Sequence, residues 1–85
     1  QILEALKKEG LWIVGTSLKG ENLYKQNLQG PLAIVIGNES KGLSRLVEEK
    51  CDFLISIPMQ GEINSLNASV ATGIVLYEIL RQRMV

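Results

Sequence analysis

The sequence predicts a small α/β domain: a parallel sheet with flanking helices. Three short apolar runs, at residues 11–14, 32–36 and 53–57, are too brief for helices and are bounded by Gly, Pro or polar clusters. Helical segments separate them or flank them, and alternation of strand and helix is the mark of βαβ units. The third observation is length, because 85 residues can make at most one small domain.

The elements follow in order. Residues 1–9 read as the end of a helix, with Ile2, Leu3 and Leu6 on one face and Gly10 placed as a C-terminal cap. Residues 11–14 are expected to be a buried strand, closed by Gly15, Thr16 and Ser17. Residues 17–31 are polar and rich in Gly and Asn, with room for a short helix near 21–27. The run from Leu32 to Ile36 is continuous and β-branched, which predicts a central parallel strand covered on both faces. A helix over 43–50 should turn Leu43, Leu46 and Val47 inward, and a third strand should end at Pro58, which lacks a ladder donor. One long helix runs from Leu66 to Arg83, with Asn64 or Ser65 as N-cap candidates. Its apolar residues occupy nearly the whole circumference, so it needs cover on more than one side, most simply from the same helix of a second subunit. Glu78, Arg81 and Arg83 mark where solvent returns.

Composition narrows the function. Hydrophobic residues make up 46% of the chain, more than a free-standing piece of this size uses in its own core, which implies surface meant for further chain or a partner. Nine basic residues balance nine acidic ones, so this piece lacks the excess positive charge of a non-specific nucleic-acid grip. A single cysteine and no histidine exclude a disulfide framework and a Cys/His metal site; Cys51 reads as a buried, reduced thiol. No apolar run approaches the ~20 residues of a membrane span, and a cytoplasmic location is the expectation.

Ligands of parallel sheets gather at loops leaving the C-terminal strand ends. Here those loops are 15–17, 37–42 and 58–67. The second is not a phosphate loop, because Leu43 follows Gly42 where that motif needs Lys and Ser or Thr, and Gly-x-Gly-x-x-Gly is absent. Gly37 and Gly42 read as turn glycines on spacing alone, and Glu39 as a carboxylate near a helix start. The third loop puts Asn64, Ser65 and Asn67 just before a helix N-terminus, more polar groups than a cap requires. The residues by themselves define a small-molecule pocket without a reaction class.

Two stretches add one. Ile34-Val35-Ile36-Gly37-Asn38-Glu39-Ser40-Lys41-Gly42-Leu43 and Ile57-Pro58-Met59-x-Gly61-x-x-x-Ser65-Leu66-Asn67-x-Ser69-Val70-Ala71 resemble two signature motifs of the SpoU (TrmH) RNA methyltransferases, of the SPOUT class. The likeness covers residues 11–83 and continues through Gly73-Ile74-x-Leu76-Tyr77-Glu78. The resemblance implies the C-terminal part of a SPOUT trefoil-knot domain, a homodimer through the helix from Leu66 to Arg83, and S-adenosyl-L-methionine as cofactor. It implies methyl transfer to a ribose 2′-hydroxyl of RNA, with a guanosine of large-subunit rRNA favoured over tRNA. It places Gly37, Ile57 and Leu66 around the cofactor, Ile57 and Leu66 flanking the adenine, with Thr16 and Met59 as neighbours. It places Glu39, Ser65 and Asn67 around the methyl-transfer site. The family's first motif, an Asn-x-x-x-x-x-Arg segment carrying the proton-accepting arginine, matches nothing in these residues. The 85 residues are therefore expected to be a piece of a longer enzyme and inactive alone. The alternative is a ligand-binding or dimerising module of the same fold without catalysis.

Overall fold

In the computed structural model, residues 2–37, 42–58 and 68–84 are described. They form α1 (Ile2–Lys8), β1 (Trp12–Asn22), a 3-10 turn (Leu23–Lys25), β2 (Leu32–Val35), α2 (Arg45–Lys50), β3 (Phe53–Ser56) and α3 (Ala68–Arg83). The three strands make one sheet in the order β2-β1-β3, and both pairings are parallel. The α/β class is as the sequence predicts, but the central place expected of the second strand is taken by the first. β1 is the centre, and β2, expected to be central, is an edge of this sheet with every residue half-buried.

β1 is held at its start from both sides. The Trp12 amide donates to the Pro31 carbonyl at 3.0 Å. The Ile13 amide donates to the Asp52 carboxylate at 2.6 Å, and its carbonyl accepts from the Asp52 amide at 2.7 Å. Pairing along β1 then fixes Gly15 opposite Val35 on one side and Leu54 on the other. Successive strand residues face opposite ways. Val14 joins a core with Leu23, Leu28, Ile55 and Val75, packed by Ile34, Phe53, Ile57, Ile74 and Ile79. Ile13 is equally buried but lies outside that cluster, and α1, with Leu3 buried, packs against β1.

Further differences have local causes. β1 runs on to Asn22 through residues expected to be loop, because its register shifts: Thr16 and Glu21 are both opposite Ile55, and residues 17–20 bulge between them. Gly20 makes this possible, since a Cβ there would sit 2.5 Å from the Ile55 carbonyl carbon. Gly10 ends α1 with φ +92, as a cap glycine should, but Ile2 is exposed instead of sharing Leu3's burial. α2 is capped by the Ser44 hydroxyl, which accepts from the Val47 amide, and Leu46 is exposed instead of turned inward.

The end of α3 departs most from expectation. Glu78, placed at the return to solvent, is only 3% exposed. Its carboxylate accepts from Arg81 Nε and Nη2 at 2.8 Å each and from Gln82 Nε2 at 2.9 Å. Gln82 also donates to the Gln26 carbonyl and accepts from the Leu28 amide, while Arg83 donates to the Leu28 and Gly30 carbonyls. Burial of a carboxylate is tolerable because it is paired and hydrogen-bonded. The cluster fastens the helix end to the segment that leads into β2.

The Arg81 hydrogen bond first, then that of Gln82, pulls the Glu78 pKa from the ordinary 4.5 down to about 2. A depressed pKa contributes stability that is complete above the unfolded value and is lost as pH falls through the folded one. Thermal unfolding followed against pH should show stability falling between about pH 4.5 and about 2. Glu78→Gln should flatten that slope; an unchanged slope would remove Glu78 as its cause.

Candidate functional site

Three parallel strands direct their C-terminal ends to one edge. β2 ends at Val35, whose partner is Gly15, and β3 ends at Ser56, next to the residue paired with Thr16. Thr16, Gly37 and Ile57 are therefore brought to the same edge by register, although 21 residues separate the first two and 20 the last two. All three are half-buried. The Gly37 amide donates to Thr16 Oγ1 at 3.3 Å, a direct link between two predicted site positions. Ile57 packs against the core cluster, offering an apolar wall that is already supported from behind. The other expected positions, Glu39, Ser65, Asn67, Met59 and Leu66, lie outside the described residues.

Gly37 is small for a reason the motif alone does not supply. A Cβ there would lie 2.5 Å from the Gly42 carbonyl carbon and 2.6 Å from the Leu43 nitrogen. The chain leaving β2 returns to touch itself, so the space is filled by backbone. Gly42 has φ +67, which confirms it as a turn glycine. Gly15 is crowded in the same way, with Cys51 Sγ at 2.6 Å and Leu43 Cδ1 at 2.7 Å from the position of a Cβ. Cys51 is half-buried, its thiol lies 3.4 Å from the Val47 carbonyl, and burial raises its pKa. The burial is thus partial where the sequence reading expects a buried thiol.

A separate open groove of about 390 Å³ lies on the α3 side, lined by Tyr24, Val70, Gly73, Ile74, Tyr77 and Glu78. None of the three edge residues borders it. Sequence reasoning did not find this groove, and the one available signal was the apolar circumference of the last helix. Among the described residues no cluster of acids, Cys or His is arranged to hold a metal ion, and no helix is long and apolar enough to cross a membrane.

The sequence profile of the SpoU rRNA Methylase family matches residues 1–77. The chain belongs to that family. It is 52% identical over 84 residues to the 23S rRNA (guanosine-2′-O-)-methyltransferase RlmB of Pseudomonas putida, covering 98% of this chain and 34% of that protein. The fold superposes with TM-score 0.88 on the A. aeolicus TrmH/SpoU tRNA modifying enzyme, at 44% identity, covering 99% of this chain and 44% of that one. It superposes with TM-score 0.84 on the SpoU methyltransferase AviRb from Streptomyces viridochromogenes in complex with the cofactor AdoMet. That match is 38% identical and covers 98% of this chain and 34% of AviRb. The chain thus spans about a third of the length of the curated relatives it matches.

Gly37→Ala tests the described part of the site. Overpacking a filled space costs typically 1–3 kcal/mol. The variant should lose about that much unfolding free energy, read as a lower denaturant midpoint, whereas Gly73→Ala, with nothing within 4 Å, should not lose stability.

Proposed function

We propose that the protein carrying this chain transfers a methyl group from S-adenosyl-L-methionine to a ribose 2′-hydroxyl of RNA, with a guanosine of large-subunit rRNA as acceptor. The observation that carries the proposal is the convergence of Thr16, Gly37 and Ile57 on one sheet edge in a member of the SpoU family. These residues fit such a cofactor: a half-buried, uncharged edge with a fixed backbone turn and a supported apolar wall suits an adenosyl group. Gly37 and Ile57, with Met59 and Leu66, would hold it, Ile57 and Leu66 flanking the adenine and Thr16 lying beside them. The bound cofactor supplies a methyl activated by a sulfonium centre.

Glu39, Ser65 and Asn67 are assigned to the transfer site, where their amide, hydroxyl and carboxylate groups orient the ribose and the methyl donor. Positioning of reactants supplies much of the acceleration in such a displacement. The hydroxyl proton must pass to a base. The resemblance assigns that role to the arginine of the family's first motif, which is outside these 85 residues. Identity to the RlmB protein favours rRNA as acceptor; tRNA is the second reading, favoured by the A. aeolicus enzyme. A cytoplasmic location accords with either acceptor.

The same reading makes the protein a homodimer through α3. Val70, Leu76, Tyr77, Leu80 and Met84 on or just past that helix are each at least half exposed, an apolar set that costs free energy in water. The open groove beside Tyr24 and Tyr77 adds a concave part to this surface. Leu80→Glu in the full-length protein should shift the sedimentation coefficient from dimer to monomer; a monomeric parent would contradict this part of the proposal.

The activity is tested in the full-length protein with methyl-labelled cofactor and rRNA, with calorimetric binding of S-adenosylhomocysteine against ATP as control. Selective binding and 2′-O-methylation are expected. Asn67→Ala or Glu39→Ala should each lower the transfer rate by about a hundredfold or more. Full activity in both variants would reject the assigned residues, and absence of any transfer to RNA would reject the enzyme.

A further inference from the structure

The chain between Gly37 and Gly42 begins and ends at nearly the same point in space. A Cβ on Gly37 would lie within 2.7 Å of the Gly42 Cα and of both flanking peptide atoms, so the two stems touch backbone to backbone. β1 bears on both stems. Thr16 Oγ1 accepts the Gly37 amide of the first stem, and Gly15 leaves the room that the Leu43 side chain of the second stem fills. Gly15 itself is fixed, paired with Val35 on one side and Leu54 on the other. Adjacent residues of the central strand, Gly15 and Thr16, thus bear on both stems.

We propose that Thr16 is a positioning residue for methyl transfer, acting through the Gly37 amide and not through contact with the cofactor. The inference rests on the methyltransferase reading given above. Its chemical basis is that a half-buried amide left without its acceptor seeks another partner, and the backbone at Gly37 moves with it. A valine has the shape of threonine and no acceptor, while serine keeps the acceptor and loses a methyl. Neither change adds bulk to a site where Gly15 already leaves no space. A residue that touches a ligand directly would alter ligand binding without loosening the unliganded turn. A positioning residue loosens the turn first.

The experiment uses the full-length protein as Thr16→Val and Thr16→Ser, with two readouts. The first is hydrogen exchange of the Gly37 amide without cofactor, followed by NMR; the second is kcat and the KM for RNA. Loss of one hydrogen bond of ordinary net strength changes an opening equilibrium about tenfold. In Thr16→Val, Gly37 exchange should be about tenfold faster and kcat about tenfold lower, with the KM for RNA unchanged; Thr16→Ser should restore both. Faster exchange with unchanged kcat would reduce Thr16 to a structural role and overturn the proposal. Lower kcat with unchanged exchange would overturn it in favour of direct contact. If the parent itself transfers no methyl group, the methyltransferase reading fails and takes this inference with it, an outcome distinct from an active parent with an indifferent Thr16→Val.

Discussion

Everything at the candidate site depends on β1 lying between two parallel partners. Its first residues are clamped by Pro31 on one side and by both backbone and carboxylate of Asp52 on the other, and its register then places Gly15 and Thr16. Parallel pairing sends the exits of β2 and β3 to one edge, which is why residues distant in sequence meet there. With β1 antiparallel to both partners, Thr16 would lie toward the opposite edge from Gly37 and Ile57. Crowding at Gly15, Gly20 and Gly37 is the consequence: backbone meets backbone or a neighbouring side chain at each, and a side chain is excluded.

The core and the helix end secure that frame from below. Val14 and Ile55, adjacent to the site-bearing residues on their strands, are buried against Val75 of α3. The far end of the same helix reaches back through Gln82 and Arg83 to residues 26–30, the approach to β2. Gln82 uses its whole amide on this task, both as donor and as acceptor. Glu78 neutralises the charge that Arg81 brings and is itself desolvated by the same packing. One helix thereby stabilises both edges of the sheet, β3 through the core and β2 through its lead-in segment.

Much of this was legible in the residues. The short β-branched runs identify all three strands, and Gly10 marks the end of α1, because local chemistry decides those features. Which strand takes the centre was not legible. Leu32 to Val35 is apolar throughout, which signals burial but cannot say against what, while β1 continues through Thr16, Ser17, Lys19 and Glu21 without a periodic signal. Its length is set by pairing with β3 around a bulge, a property of two segments together. Burial of Glu78 escaped the sequence for a similar reason, since its tolerance depends on Arg81 and Gln82 folding over it. At the site, the motif singled out Gly37, and the structure supplies a reason for its small size, the return of the chain at Gly42 and Leu43. The Thr16 contact had no signature at all beyond its place after a strand.

On the proposed function, the C-terminal edge of this sheet, and not the groove on α3, receives the cofactor. The most direct measurement is a titration of isotopically labelled full-length protein with S-adenosylhomocysteine, followed through amide chemical shifts. Saturable shifts are expected at Thr16, Gly37 and Ile57, with Tyr24 and Tyr77 at the groove unmoved. Shifts confined to Tyr24, Gly73 and Tyr77, with the sheet edge silent, would contradict it.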